Sequence, residues 1–205
     1  MERRHFTMIR GFAMADWFTL ANASCGTAAV FAVMWYLQGS DMRAFYVACA
    51  LVPAALVFDV LDGRIARWRH QASSLGRELD SLSDVISFGV APAAIAYGAG
   101  MQGLWDVAIL LYFVACGVSR LARYNVTAEA MSADTGKVKY FEGTPIPSSV
   151  LLVLMLAFAA WQGRIGAELW FGVLNTGPAH FHPLVLLWAL SGSLMISKTV
   201  RIPKL

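Results

Sequence analysis

A long apolar stretch near the start of this chain restricts what the chain can fold into. Residues 17–37 are mostly apolar and supply about the 20 residues that an α-helix needs to cross the hydrocarbon core of a bilayer. Trp17 lies at one end of the stretch, and Trp35 and Tyr36 lie at the other, where membrane helices commonly carry aromatic side chains. The stretch therefore predicts a transmembrane helix.

Five further apolar stretches complete the predicted fold class. They are residues 44–60, 79–98, 104–123, 146–161 and 184–200. The third and fifth of the six spans reach full length only if their helices extend into polar flanks. Residues 1–16 mix apolar and basic side chains, which is typical of a helix lying in the membrane interface. We therefore expect an all-α integral membrane protein with six transmembrane helices and a short N-terminal amphipathic interfacial helix.

We expect one domain over residues 1–205, with the helix bundle at 17–200 and a tail at 201–205. Only 14% of the residues are charged, against roughly 25% in ordinary soluble domains. The net charge of +3 does not indicate binding to nucleic acid. The three cysteines lie in apolar segments without zinc or CxxC spacing, which indicates buried thiols. The N-terminus does not show the pattern of a cleavable signal peptide.

The distribution of Lys and Arg predicts how the helices are oriented. The N-terminal segment, the second and fourth connections and the C-terminal tail carry 14 of these residues, and the other three connections carry 2. Because basic residues are enriched in cytoplasmic loops, we expect both termini to be cytoplasmic. This arrangement places residues 59–84 at the cytoplasmic face of an inner, cytoplasmic or organelle membrane.

Residues 59–84 carry four carboxylates in two pairs, Asp59 with Asp62 and Asp80 with Asp84. On helices the pairs are spaced i,i+3 and i,i+4, so each pair lies on one helix face. Four carboxylates beside a hydrophobic phase would repel one another unless a cation lay between them. Oxygen ligands favour Mg²⁺, Mn²⁺ or Ca²⁺, and such ions can polarise a phosphate. The alternative is that the carboxylates pair with nearby arginines, namely Arg64, Arg67, Arg69 and Arg77.

The same segment resembles the signature of the CDP-alcohol phosphotransferase family. The signature residues occur here as Asp62, Gly63, Ala66, Arg67, Gly76, Asp80 and Asp84, with Asp59 ahead of them. The resemblance implies that one or two Mg²⁺ or Mn²⁺ ions are bound by Asp59, Asp62, Asp80 and Asp84. It implies that Asp84 is the general base. It also implies a nucleotide and pyrophosphate site made of Thr19, Asn22, Asp59, Asp62, Gly63, Ala66, Arg67, Gly76 and Asp80.

Thr19 and Asn22 belong to that site by resemblance, although both lie in the first turns of an apolar span. Polar side chains at such positions bond either a neighbouring helix, which is the commoner case, or a ligand. Family members often carry a Thr/Asn pair near the nucleotide, and FTLANASCG is similar to the version in the phosphatidylserine synthase branch. Both interpretations stay open at this point.

Two more segments resemble the phosphatidylserine synthase branch of the family, LDSLSDVISFGVAPA and SRLARYNVTAEAMSADTGKVKYFEGTPIPSS. This branch transfers a phosphatidyl group from CDP-diacylglycerol to L-serine and releases CMP, and family members are homodimers. Arg120 and Arg123 lie on one helix face, and guanidinium groups suit the carboxylate of serine. We expect Arg120, Arg123 and Asn125 to position L-serine, although one arginine could instead be a membrane anchor.

Two alternatives to this function are open from the sequence. A sister transferase would use glycerol phosphate, an inositol compound or another alcohol as the acceptor. A small six-helix transporter is the alternative from another class, because intramembrane carboxylates often mark ion pathways. The acids lie at one surface, however, and the chain shows no internal repeat. We therefore expect a transferase whose partners are CDP-diacylglycerol, L-serine, membrane lipids and a second copy of the chain.

Overall fold

The computed structural model describes residues 14–68, 74–134, 140–176, 179–197 and 201–203, and this part of the chain is predominantly helical. The α-helices are α1 (Met14–Gly39), α2 (Met42–Trp68), α3 (Ser74–Asp84), α4 (Ala91–Gly98), α5 (Leu104–Asp134), α6 (Ser149–Trp161) and α7 (Leu186–Ile196). A π-helix, Val85–Val90, joins α3 directly to α4. Short 3₁₀ turns lie at Ile146–Ser148, Gly166–Glu168 and Pro183–Val185.

Two short antiparallel ladders tie the connections together. Strand β1 (Tyr140–Glu142) pairs with β4 (Arg201–Pro203), so Phe141 lies opposite Ile202. Strand β2 (Leu174–Thr176) pairs with β3 (Ala179–Phe181) in a hairpin ahead of α7. The first ladder joins the segment before α6 to the end of the chain. The second lies against α5.

The predominantly helical structure agrees with the predicted membrane class, and the number of spans stays a prediction. Four helical segments are long and apolar enough to cross a bilayer, namely Met14–Gly39, Met42–Trp68, Leu75–Gly98 and Leu104–Val126. The predicted fifth and sixth spans are helical at Ile146–Trp161 and Pro183–Ile196, and both helices are shorter than these four. Most of the predicted N-terminal interfacial helix lies outside the described residues.

Several helices extend beyond their apolar stretches. The sequence indicates a surface connection over residues 63–79, whereas α2 continues to Trp68 and α3 begins at Ser74. Helix α5 likewise continues to Asp134, because the residues after Asn125 include strong helix formers such as alanine, glutamate and methionine. The third span reaches full length in this way, because its helix begins in the polar flank and extends over Leu75–Gly98, whereas the fifth stays short at Ile146–Trp161. The signature acids lie within these helices and not in a loop.

The interior of the bundle combines a few large side chains with many small ones. Phe45, Phe88, Phe113 and Trp188 are fully buried, and they are surrounded by buried alanines from α2, α4 and α6. Other large apolar side chains face outward, among them Phe31, Trp35, Val57, Leu111 and Leu151. Such a broad apolar exterior is what a bilayer would cover.

Close approach of α1 to the π-helix depends on one glycine. A Cβ built on Gly26 would lie 2.7 Å from Cα of Ser87 and 2.9 Å from its backbone nitrogen. Real Cβ atoms do not approach backbone atoms that closely, so any side chain at Gly26 would push the two segments apart. The contact fixes α1 beside the residues that immediately follow Asp84.

Candidate active site

Three of the four predicted carboxylates converge. Asp59 and Asp62 lie in the second half of α2, and Asp80 lies in α3. One carboxylate oxygen from each of these residues can be chosen so that all three lie within 4.8 Å of one another. The described residues contain one such acidic group, and Asp84 lies outside it. Helices α2 and α3 thus bring together residues that are 18 to 21 positions apart in the chain.

The acidic group fits a hard divalent cation. All its donors are carboxylate oxygens, which Mg²⁺ and Mn²⁺ prefer. Oδ1 of Asp80 is buried and has no hydrogen-bond partner among the described residues. A buried carboxylate oxygen without a donor is unfavourable, and a cation shared with Asp59 and Asp62 would satisfy it. The donor set therefore agrees with the predicted metal site.

Asp84 lies one helical turn after Asp80, at the point where α3 becomes the π-helix. It is buried, and Oδ1 accepts a hydrogen bond from Nδ2 of Asn22 at 3.3 Å. It also interacts electrostatically with Asp59 and Asp80. Asp84 is therefore next to the acidic group and is oriented by an amide from α1.

The first turns of α1 hold the acids by hydrogen bonds. Oγ1 of Thr19 donates to Oδ2 of Asp62 at 2.7 Å, and both side chains are buried. Two serines donate to the backbone of α1. Oγ of Ser83 donates to the carbonyl of Thr19 at 3.0 Å. Oγ of Ser87 donates to the carbonyl of Asn22 at 2.8 Å. Thr19 and Asn22 thus bond neighbouring helices, as one of the two interpretations proposed. Their predicted nucleotide contact is not tested by these bonds.

The π-helix after Asp84 was not predicted from the sequence. The N–H of Ala91 donates to the carbonyl of Ile86, five residues earlier, which defines the wider turn. Insertions of this kind are rare and often lie at functional sites. Here the wider turn places Ser87 against Asn22 and Gly26 of α1.

The remaining signature residues lie along the same two helix ends. A Cβ built on Gly63 would meet no atom closer than the guanidinium nitrogens of Arg67, at 3.7 and 3.8 Å. Internal packing therefore does not require glycine at this position. Ala66 is half-buried and Arg67 is exposed near the end of α2, whereas Gly76 lies in the first turn of α3. Gly63, Ala66 and Arg67 are not fully buried, so they are accessible to a ligand.

The three predicted serine ligands follow one another along α5 but make different contacts. Arg120 interacts electrostatically with Asp84, and its Nε is buried without a hydrogen-bond partner among the described residues. Nη1 of Arg123 donates to the carbonyl of Ile196, in the last turn of α7, at 3.4 Å. Arg120 therefore faces the acids, whereas Arg123 joins α5 to α7.

Asn125 contacts the helix that carries two of the acids. Its Nδ2 donates to Oγ of Ser81 at 3.0 Å and to the carboxylate of Glu78 at 3.4 Å. Ser81 follows Asp80 directly. Asn125 thus fixes the distance between α5 and α3 close to the acidic group.

One buried acid near the site was missed by sequence analysis. Asp16 lies in the first turn of α1, is only 5% exposed, and interacts electrostatically with Asp62. Its spacing of three residues from Thr19 places both on one helix face, which was a usable signal. Ser83 and Ser87 were also missed, because their partners are backbone carbonyls more than 60 residues away.

Comparison with known proteins places this site in a family. A family model described as CDP-alcohol phosphatidyltransferase matches residues 12–190, which include all four signature aspartates. The chain belongs to this family. It is also similar to the CDP-diacylglycerol–serine O-phosphatidyltransferase of Saccharomyces cerevisiae, with 42% identity over 99% of this chain and 75% of the yeast protein.

Two further relatives come from a bacterium and an archaeon. The CDP-diacylglycerol–serine O-phosphatidyltransferase of Helicobacter pylori is 45% identical over 54% of this chain and 46% of its own length. The archaetidylserine synthase of Methanothermobacter thermautotrophicus is 34% identical over 76% of this chain and 62% of its own length. The chain thus spans most of the yeast protein and smaller parts of the other two.

Proposed function

We propose that this membrane protein transfers the phosphatidyl group of CDP-diacylglycerol to the hydroxyl of L-serine, giving phosphatidylserine and CMP. The observation that carries the proposal is the 42% identity to the yeast serine transferase over almost the whole chain. The convergence of Asp59, Asp62 and Asp80 provides a site for the chemistry. A bond forms between the serine oxygen and the lipid-linked phosphorus, and the bond from that phosphorus to CMP breaks.

The acidic group would hold the metal. Asp59, Asp62 and Asp80 would bind one or two Mg²⁺ or Mn²⁺ ions, with Asp84 as the fourth ligand proposed from the family signature. When bound, these ions supply Lewis-acid polarisation of the pyrophosphate. Thr19 orients the Asp62 carboxylate, and buried Asp16 adds negative charge on the α1 side.

Asp84 is the proposed general base. A serine hydroxyl is a weak nucleophile at neutral pH, so a carboxylate must accept its proton as the oxygen attacks. Asp84 lies beside the acidic group, and Asn22 fixes one of its oxygens. Arg120, on the opposite side in α5, interacts with the same carboxylate. This placement lets one residue accept the proton where serine would be held.

The two substrates are assigned to different sides of the acids. The nucleotide and pyrophosphate lie along Gly63, Ala66 and Arg67, which are not fully buried, with Gly76, Thr19 and Asn22 as the other predicted contacts. L-serine lies on the α5 side. Arg120 pairs with its carboxylate, while Arg123 and Asn125 position α5 through their contacts with α7 and α3.

The membrane arrangement follows from the same proposal. We place both termini and the acids at the cytoplasmic face of an inner, cytoplasmic or organelle membrane, with six spans in a homodimer. The acids lie near the ends of helices whose outer faces are apolar. A site in that position keeps the acyl chains in lipid while the headgroup meets a water-soluble amino acid.

The test is a product assay on the purified chain in mixed micelles. With CDP-diacylglycerol, Mn²⁺ and labelled L-serine, we expect labelled phosphatidylserine and an equal amount of CMP. Asp80→Asn should abolish both products. Asp41→Asn is the matched control, because Asp41 is exposed at the start of α2, where its carboxylate accepts from the N–H of Arg43. Labelled product with glycerol phosphate or inositol, and none with serine, would favour a sister transferase. No CMP release with any acceptor would contradict the transferase assignment.

A further inference from the structure

A second polar site lies at the end of the bundle away from the acids. About 25 Å of α1 separates Thr19 from Tyr36, at 1.5 Å per residue. Tyr36 and Ser40 border a cavity of about 610 Å³ whose other walls include Gln102, His180 and His182. The mechanism proposed above uses none of these residues. The cavity therefore needs an explanation of its own.

His182 is held rigidly by Asp106. Nδ1 of His182 lies 2.6 Å from Oδ2 of Asp106, and the backbone N–H of His182 donates to Oδ1 at 2.8 Å. Asp106 is fully buried and His182 is 5% exposed. A carboxylate can only accept hydrogen bonds, so Nδ1 of the ring carries the proton. In the neutral imidazole, Nε2 then carries a lone pair.

The carboxylate of Asp106 has hydrogen-bond partners within the fold, whereas Nε2 of His182 has none among the described residues. Asp106 accepts the N–H of Gly103 at 3.1 Å and so caps the start of α5. Nε2 of His182, in contrast, is buried and has no hydrogen-bond partner among the described residues. Buried ring nitrogens normally have a partner. With the lone pair on Nε2, the missing partner is a cation or a hydrogen-bond donor.

A second imidazole borders the same cavity. His180 lies in β3, two residues before His182, and side chains two apart on an extended strand lie on the same face. Both residues line the cavity. A Cβ on Gly103 would overlap the carbonyl of His180, so this glycine allows the strand to lie against the start of α5. Both histidines are thus carried by a segment that packs closely against the start of α5.

We propose that His180 and His182 bind a late first-row divalent metal ion of the Zn²⁺, Cu²⁺ and Ni²⁺ class at this cavity. Imidazole nitrogens suit these ions, whereas carboxylate-only sites favour Mg²⁺ and Mn²⁺. A carboxylate on the other ring nitrogen is the usual second partner of a metal-binding histidine, and Asp106 occupies that place. Water completes the coordination from the cavity. The site fastens the β2–β3 hairpin to α5 and is independent of the transferase activity.

Copper EPR tests this proposal, because nitrogen ligands split the Cu²⁺ signal and oxygen ligands do not. The protein is purified in detergent without a histidine tag and titrated with Cu²⁺. We expect one copper per chain with nitrogen coupling. The acidic group would add only oxygen-ligated copper. A wild-type spectrum without nitrogen coupling would overturn the proposal.

Four single variants locate the nitrogen ligands. His180→Ala removes an exposed ligand, and His182→Asn keeps an amide donor for Asp106 but removes the second ring nitrogen. Each should lose the coupling of its imidazole. His5→Ala and His70→Ala, which change the only other histidines of the chain, should leave the spectrum unchanged. Unchanged coupling in either His180→Ala or His182→Asn, or lost coupling in either control, would refute the assignment.

Asp106→Asn tests the orienting role of the carboxylate. We expect nitrogen coupling to persist with Cu²⁺ affinity reduced about 10- to 100-fold, the usual effect of removing the second partner of a metal-binding histidine. If the wild-type protein binds Zn²⁺ at this site, Zn²⁺ should raise its melting temperature, and this rise should be smaller in Asp106→Asn. Wild-type affinity in this variant would contradict the role given to Asp106.

Discussion

The hydroxyl of Thr19 donates a 2.7 Å hydrogen bond to Oδ2 of Asp62, joining the start of α1 to the acidic group on α2. The two residues are 43 positions apart, and both are buried. Asp62 also contributes a carboxylate oxygen to the group formed with Asp59 and Asp80. Thr19 therefore positions a ligand of the proposed metal site, and this role does not depend on contact with the nucleotide.

Thr19→Val should weaken metal binding while keeping the shape of the side chain. Loss of a hydrogen bond to a ligating carboxylate typically costs about 10- to 100-fold in metal affinity or activity. We expect the Mn²⁺ concentration for half-maximal activity to rise by that factor, measured by CMP release. Thr27→Val is the matched control, because Thr27 lies on α1 with an exposed hydroxyl bonded to the carbonyl of Ala23. Equal Mn²⁺ dependence in both variants would contradict the role of Thr19.

Asp84→Asn should stop turnover and largely spare nucleotide binding. A general base contributes about 10²- to 10⁴-fold to rate, and the amide cannot accept the serine proton. CDP should still bind in the presence of Mn²⁺, because Asp59, Asp62 and Asp80 remain. Calorimetry measures this binding. Asp41→Asn again provides the control. Turnover near the wild-type value would remove Asp84 as the base, and complete loss of CDP binding would make it chiefly a metal ligand.

The helices could be predicted from the sequence because apolar length alone nearly fixes them. The first span was predicted at 17–37 and lies at Met14–Gly39, and the fourth begins at Leu104 as predicted. Their polar extensions were harder to place, because residues 63–68 and 124–134 are too polar to indicate a span but form helix readily. Hydropathy measures partition into lipid, whereas helix formation also depends on backbone propensity.

The identities of the acids could be predicted, but their mutual arrangement could not. Spacing placed Asp59 beside Asp62, and Asp80 beside Asp84, each on its own helix. The contacts of Thr19 with Asp62 and of Asn22 with Asp84 span 43 and 62 residues, so they depend on how α1 packs. That packing depends in turn on Gly26 and on the π-helix, and no periodic pattern in the sequence indicates either one.

Arg120→Lys should raise the KM for L-serine more than the KM for CDP-diacylglycerol. A lysine keeps the charge but cannot form the paired hydrogen bonds of a guanidinium with a carboxylate. Loss of a charged hydrogen bond of about 1.5–3 kcal/mol corresponds to roughly a 10- to 100-fold increase in KM. Arg164→Lys, at an exposed position outside the site, is the control. Equal changes in both KM values would argue for a general effect on the fold and against contact with serine.

Gly26→Ala tests whether close packing of α1 against the π-helix is needed for the site. The added methyl group would lie 2.7 Å from Cα of Ser87, so the two segments must separate. Overpacking of this kind costs about 1–3 kcal/mol, which exceeds the gain of about 0.5–1 kcal/mol from replacing glycine in a helix. We expect a lower melting temperature in detergent, together with a higher Mn²⁺ requirement, because the bonds of Thr19 and Asn22 to the acids lie on the same helix. Gly39→Ala is the matched control at the end of α1, where a built Cβ meets no atom within 4 Å. If Gly26→Ala lowered the melting temperature without changing the Mn²⁺ requirement, the packing would stabilise the fold but would not position the acids.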